Sequence, residues 1–239
     1  NTPEAARILD IVRAADNVDI PRSRHIYTNA YEVSKRLEKY NKIKSEVLPP
    51  PLKEAEKYEC REQGDYIFCP SRINELKRQH LLVEAMKYTK SDVKLIIAGQ
   101  CPDAGYMENI HAIITENNLE GKVEILNRWI TDDEKISLMA KCLAGAYIPY
   151  KEDSCGFVTM EAQYSHKPVI TCIDSGGTAE FIEEGKSGYF ADPNPRALAQ
   201  AMDKLQEDKK NAENMGEYAF EDITRKNITW ENTVRRLLK

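Results

Sequence analysis

The sequence predicts an α/β protein, a parallel sheet with helices on both faces. Two patterns carry that reading. From residue 65 onward, short apolar runs alternate with stretches of helical periodicity. The runs at 93–98 (VKLIIA) and 169–173 (VITCI) are rich in Val and Ile, as strands covered on both faces require. A third observation fits them. In such sheets ligands bind beyond the carboxyl ends of the strands, and the residues suited to ligands follow the apolar runs: Ser71-Arg72, Gly99-Gln100, Arg128-Trp129, Asp153 to Gly156, and Ser175-Gly176-Gly177.

Taken in order, residues 3–15 carry apolar side chains at helical spacing, with Pro3 suited to a first turn. Residues 25–29 read as a short strand and 30–40 as a helix with Asn29 as its cap. Then Pro49-Pro50-Pro51 interrupts. Three prolines cannot continue a helix or sit inside a sheet, and with the charged stretch 53–62 they mark a linker and domain boundary. Strands follow at 65–69, 93–98, 123–126, 145–148, 169–173 and 188–190. Helices are expected at 79–88, 104–118, 132–141 with Thr131 as cap, after Gly156, at 178–184, at 195–206, and on to the end.

The bulk numbers exclude several classes. The 239 residues are 41% apolar with a net charge of -5, which does not suggest a nucleic-acid partner. No apolar run approaches the roughly 20 residues of a membrane span. The six cysteines, at 60, 69, 101, 142, 155 and 172, show no Cys-x-x-Cys spacing. They read as reduced and mostly buried, which fits a cytoplasmic protein, and no metal site is expected.

The chemistry concentrates in residues 151–168, KEDSCGFVTMEAQYSHKP. A strand end, a turn through Ser154-Cys155-Gly156 and a helix start make an anion pocket, because free amides and the helix dipole face the turn. Asp153 precedes that helix and Glu161 lies inside it. Arg72 and Lys77 follow an earlier strand, a guanidinium fork and a compact ammonium suited to a diphosphate. Trp129 reads equally as a base-stacking ring or a core plug. Trp230 reads as packing at the start of the last helix.

The stretches PSRINELKRQHLLVEAM, VKLIIAGQ, VEILNRWITDDEKISLMAKC and AYIPYKEDSCGFVTMEAQYSHKPVITCIDSGGTAEF occur in the order found in family 4 glycosyltransferases. Residues 45–230 resemble the C-terminal half of those retaining, sugar-nucleotide-dependent enzymes. The resemblance implies a Rossmann-like sheet, the donor half of a GT-B fold. It implies that Arg72 and Lys77 hold the donor diphosphate. The amides around Ser154, Cys155, Gly156, Phe157 and Val158 cradle the phosphates. Glu161 bonds the ribose hydroxyls and Asp153 contacts the transferred sugar. Gly99, the loop Arg128-Trp129-Ile130 and Gly176-Gly177 line the pocket. The nucleotide sugar is then substrate rather than cofactor. No Asp-x-Asp spacing occurs, so metal-free stabilisation of the leaving diphosphate is expected.

There are departures from the family pattern. Asp153 stands where the family usually has Glu, with Glu152 beside it. Cys155 replaces Phe, and His166 replaces a Gly that ends the helix in left-handed conformation. Residues 1–50 look like the last helix, strand and helix of an N-terminal acceptor domain, 51–224 the donor domain, and 225–239 a helix crossing back. The chain starts without Met, so a fragment or processed product is expected, binding donor without efficient transfer. The acceptor is a glycan, lipid or small molecule, with peripheral membrane contact left to the N-terminal domain. A non-catalytic nucleotide-sugar-binding subunit, working with a separate acceptor-binding chain, stands as the alternative. A sugar-nucleotide epimerase of the same fold is disfavoured by the order of Arg72, Lys77, Asp153 and Glu161.

Overall fold

The computed structural model describes residues 2–152 and 154–239; Asn1 and the proposed sugar-contacting Asp153 lie outside the described residues. The chain opens with helix α1 (Pro3–Asp19), strand β1 (Tyr27–Thr28) and helix α2 (Tyr31–Asn41). Strand β2 (Glu46–Val47) then pairs in parallel with β1. Helix α1 starts as expected, with Thr2 accepting from the Ala5 amide and Pro3 in the first turn. It runs four residues past the expected end, and none of its residues is buried.

The cap expected at Asn29 is not there. Ala30 occupies the cap position and offers no side-chain acceptor. Instead the Glu180 carboxylate, from far along the chain, accepts from the amides of Tyr31 (2.8 Å) and Glu32 (2.6 Å). Local side-chain preference lost to a tertiary carboxylate, which serves the same orphan donors and adds its charge at the positive end of the helix.

The main sheet has six strands: β3 (Tyr66–Pro70), β4 (Lys94–Ala98), β5 (Val123–Leu126), β6 (Ala144–Ala146), β7 (Val169–Cys172) and β8 (Gly188–Ala191). All neighbours are parallel, in the order β5-β4-β3-β6-β7-β8. This is the strand order of a Rossmann sheet, and the direction of winding reverses between β3 and β6. The interspersed helices are α3 (Gln79–Ala85), α4 (Ala104–Glu116), α5 (Asp132–Lys141), α6 (Phe157–Tyr164), α7 (Pro195–Glu207) and α8 (Lys209–Arg225). Helix α9 (Trp230–Leu237) ends the chain.

Period-two alternation divides the strand side chains between two cores. Ile67, Leu95 and Ile97 face Leu82 of α3, Ile110 of α4 and Met202 of α7. Phe68 and Ala98 face Met139 of α5 and Ala162 of α6 on the other side. Both faces are therefore covered, as the sequence implies. Each fully buried side chain of this kind contributes roughly 1.5–3 kcal/mol.

The expected linker is anchored rather than free. Leu52 and Tyr58 are buried with Cys155, Met160 and Phe181, and the Arg61 and Gly64 amides donate to the Ala140 and Lys141 carbonyls. The helix expected at 178–184 is a single 3-10 segment, Gly177–Phe181, because Gly176 and the adjoining loop hold its start in an extended contact. Thr131 caps α5 as expected, accepting from the Glu134 amide at 3.1 Å. His166 is left-handed, φ 53°, and its ring stacks on Phe220 with centroids 3.9 Å apart, a packing role. Trp230 begins α9 but is 58% exposed, so it is not the packing residue expected. Helix α9 contacts the first fifty residues through Arg236. The Tyr27 hydroxyl donates to the Arg236 carbonyl at 3.0 Å, and the Arg236 guanidinium bonds the Glu46 carboxylate and the Val47 carbonyl. Among the described residues, no helix is long and apolar enough to cross a membrane.

Asp203 of α7 ties the helix to the start of β4. Its carboxylate accepts from the Lys90 and Ser91 amides and from the Ser91 hydroxyl, at 2.6–3.1 Å. Burial pushes its pKa up, but those bonds outweigh it and hold the group below its ordinary value. Asp203→Ala leaves two amides without their acceptor and is expected to lower unfolding stability by about 2 kcal/mol, read by urea denaturation.

Candidate functional site

The reversal point between β3 and β6 is where an open α/β sheet leaves a crevice. The β3 connection carries Arg72. Its backbone stays in register with the β4 connection, the Ser71 and Ile73 amides donating to the Ala98 and Gln100 carbonyls at 3.0 Å. The fully buried Gln79 donates to the Ser71 hydroxyl (2.8 Å) and the Arg72 carbonyl (2.9 Å), so the loop beneath the guanidinium is fixed from the first turn of α3.

A groove of about 290 Å³ opens there. It brings together five of the residues expected from sequence: Arg72, Gly99, Arg128, Trp129 and Ile130. Trp129 is 75% exposed, which rules out the core plug and leaves a free ring face. The Arg128 guanidinium is engaged by Glu134 at 2.5 and 2.9 Å, so this side chain braces the loop. Lys135 of α5 also lines the groove, and it was not expected.

Glu161 lies one hydrogen bond behind that wall. It is 5% exposed, and its Oε1 accepts from the Lys135 amine at 2.7 Å. Tyr58, another unexpected neighbour, packs beside it. Burial and then the Glu161 charge raise the Tyr58 hydroxyl well above its ordinary pKa, so it stays protonated and able to donate.

The second cluster sits at the end of β6. The Lys77 amine bonds the Tyr147 hydroxyl at 2.6 Å and the Glu152 carboxylate. Glu152 accepts in addition from the Tyr147 hydroxyl (3.0 Å) and the Ser154 hydroxyl (3.3 Å). Burial pushes the Glu152 pKa up, but Lys77 and the two hydroxyls outweigh it and hold it below its ordinary 4.5. The loop bearing Glu152 is pinned to the next one: Glu152 bridges to Gly176, and the Gly177 amide donates to the Glu152 carbonyl at 2.8 Å. A side chain at Gly176 would place its Cβ 2.1 Å from the Glu152 carbonyl oxygen, so only glycine permits this contact.

Gly156 stands at the N-cap of α6 with φ +65° and carries no capping side chain. Among the described residues no acceptor serves the amides of Phe157 and Val158, and Phe157 is 46% exposed. Among the described residues, the start of α6 is therefore uncapped. Cys155 is buried and its thiol is pushed up to about 11, which leaves it protonated and no nucleophile.

Arg78, also unexpected, holds these pieces in place. Its guanidinium bonds Asp174 through two nitrogens (2.7 and 2.8 Å), the Ile148 carbonyl (2.8 Å) and the Pro149 carbonyl (2.9 Å). One buried fork thus joins the ends of β6 and β7 to the turn after β3. In sequence it reads as half of a Lys-Arg surface pair, and Lys135 as the partner of Asp132 one helical turn away. Neither pattern signals a buried contact.

Residues 52–222 match the family of glycosyl transferases group 1. The chain belongs to that family. Among curated relatives it is 31% identical over 149 residues to the alpha-1,3/1,6-mannosyltransferase ALG2 of Homo sapiens, covering 56% of this chain and 35% of the relative. It is 28% identical over 177 residues to a D-inositol 3-phosphate glycosyltransferase of Corynebacterium urealyticum, covering 70% of this chain and 40% of the relative. The chain spans about a third of the length of the ALG2 relatives it matches. Anabaena HepE, in a crystal structure with UDP and glucose, superposes with a TM-score of 0.84 at 19% identity, covering 99% of this chain and 68% of HepE. The C-terminal domain of a group 1 glycosyl transferase from Francisella tularensis superposes with a TM-score of 0.66 at 18% identity, covering 98% of its own chain and 74% of this one. These two likenesses show the GT-B fold.

Two measurements check the site's architecture. Arg78→Met leaves Asp174 and two carbonyls without their donors and is expected to cost about 3 kcal/mol of unfolding stability. Glu152 has a lowered folded pKa, so its ion pair stabilises at neutral pH and fades as pH falls below the ordinary 4.5. The stability gap between the parent and Glu152→Gln should therefore be constant near neutrality and shrink in acid, as followed by thermal unfolding across pH.

Proposed function

We propose that this chain is the donor-binding half of a glycosyltransferase that takes a nucleoside-diphosphate sugar and transfers the sugar with retention of anomeric configuration. One observation carries the reading. A guanidinium, Arg72, lines the groove at the reversal point of the sheet, and a buried carboxylate, Glu161, stands one hydrogen bond behind the same groove's Lys135.

Breaking the bond from the sugar to the diphosphate concentrates negative charge on the leaving oxygens. Arg72 and the amides of Phe157 and Val158 offer positive charge and donors for it, and the Lys77 amine joins them on leaving its pairing with Glu152. They stabilise it more in the transition state than in the ground state. That set supplies the charge compensation that a metal ion provides elsewhere, so the reaction is written without one. Glu161 accepts hydrogen bonds from the ribose diol, and the exposed Trp129 ring with the Ile130 backbone takes the base. The reacting carbon becomes cation-like, and an acid on its face favours that charge. Glu152 is committed to Lys77, Tyr147 and Ser154, which supports Asp153 rather than Glu152 for that contact.

HepE is described in complex with UDP and glucose and with UDP-glucose, which supports a nucleotide sugar as donor here. The six cysteines are free and four are buried, which fits a reducing, cytoplasmic setting. The acceptor, a glycan, lipid or small molecule, is assigned to a unit beyond residues 1–50, whether on the same chain or a partner.

Calorimetric titration with UDP, GDP and their hexose conjugates tests the reading. Micromolar-to-millimolar binding of one nucleoside diphosphate is expected, weakened at least about tenfold by Arg72→Ala and by Glu161→Ala. Parent-like binding by both variants means that the groove is not the donor site. In the complete enzyme Arg72→Ala is expected to slow transfer by about 100-fold, with NMR of the product's anomeric proton reporting retention. Binding without transfer in that complete assembly favours the nucleotide-sugar-binding subunit instead.

A further inference from the structure

The groove holds a cation that the donor reading does not use. Lys135 lies on α5, and its amine bridges from the groove wall to Glu161 on α6, with Asp132 Oδ1 a further 3.6 Å contact. The two members differ sharply in exposure, side chains of 22% for Lys135 and 6% for Glu161. A carboxylate so enclosed needs a donor or a cation to satisfy and orient its oxygens. The ammonium takes a position on Oε1 and the Tyr58 hydroxyl also donates to the carboxylate, and of its roughly four lone-pair sites the rest stay open to a further donor.

We propose that Lys135 is a positioning residue that makes Glu161 selective for a ribose over a deoxyribose. This rests on the reading that Glu161 receives the ribose hydroxyls. Without Lys135 the carboxylate keeps only its Tyr58 partner and loses the contact that fixes its rotation, so it accepts less well from a vicinal diol. With Lys135 fixed on one oxygen, the other is presented to the sugar. Lys135 itself touches neither the diphosphate nor the base, so removing it costs binding only when the hydroxyls are present.

The test measures affinity by calorimetry for UDP and GDP and for their 2′-deoxy and 3′-deoxy forms. The proteins are the parent, Lys135→Met, Lys135→Arg, Lys135→Gln and Glu161→Gln, each checked by thermal unfolding. Lys135→Met is expected to weaken the ribonucleotide about tenfold, the scale of one charge-assisted hydrogen bond, and to leave the deoxynucleotides near parent values. Lys135→Arg keeps the preference for ribose, and Lys135→Gln shows an intermediate one, which serves if the Met variant does not fold. Equal weakening of all forms by Lys135→Met means that Lys135 meets the phosphates, and overturns the proposal. A lowered unfolding temperature with the ribose preference intact means a structural role, and overturns it as well. Loss of the preference in Glu161→Gln but not in Lys135→Met or Lys135→Gln removes Lys135 alone. Retention of the preference in Glu161→Gln removes the donor reading beneath it.

Discussion

The buried Arg78 guanidinium is the interaction on which the site rests. A parallel sheet whose winding reverses leaves a crevice by topology alone, but not loops held at fixed separations. Arg78 supplies that constraint by bonding two carbonyls after β6 and a carboxylate after β7 from one planar group. A lysine could not, because its single ammonium cannot meet acceptors in a fork. The residue sits at φ 57°, a conformation that a non-glycine side chain adopts at a cost. The four hydrogen bonds that result offset it.

The ionic layout around the crevice follows one rule. Each enclosed carboxylate is matched by a cation from another element: Glu152 by Lys77, Glu161 by Lys135, Asp174 by Arg78. Arg72 differs, since among the described residues it joins no ion pair. A guanidinium with no ion-pair partner among the described residues thus stands at the groove, which suits an anionic ligand without a net basic protein.

The sheet was legible because its strands are short, largely apolar runs bounded by glycine or charge. VEIL at 123–126 and the capped helix after Thr131 match the structure to the residue. The groove residues were legible because strand ends are where such sheets bind ligands. What escaped was set by distant partners. Asn29 is a good cap by type, yet Glu180 took the role from 151 positions away in sequence. Lys77 reads as a phosphate cation, and no local pattern tells that Glu152 and Tyr147 already hold it. The stretch 53–62 reads as linker by charge, while the single ring of Tyr58 anchors it beneath Glu161. Such pairings are properties of three-dimensional closure and leave no periodicity behind.

The Glu180 carboxylate on the first turn of α2 has a mechanical consequence. That helix begins on an acid it does not own, and the acid belongs to the short turn that Gly176 and Gly177 press against the Glu152 loop. A displacement of α2 therefore pulls on the glycine pair, and through it on the backbone beside Lys77. The small leading portion of the chain is thereby moored to the acid-bearing loop, so the two are positioned as one piece.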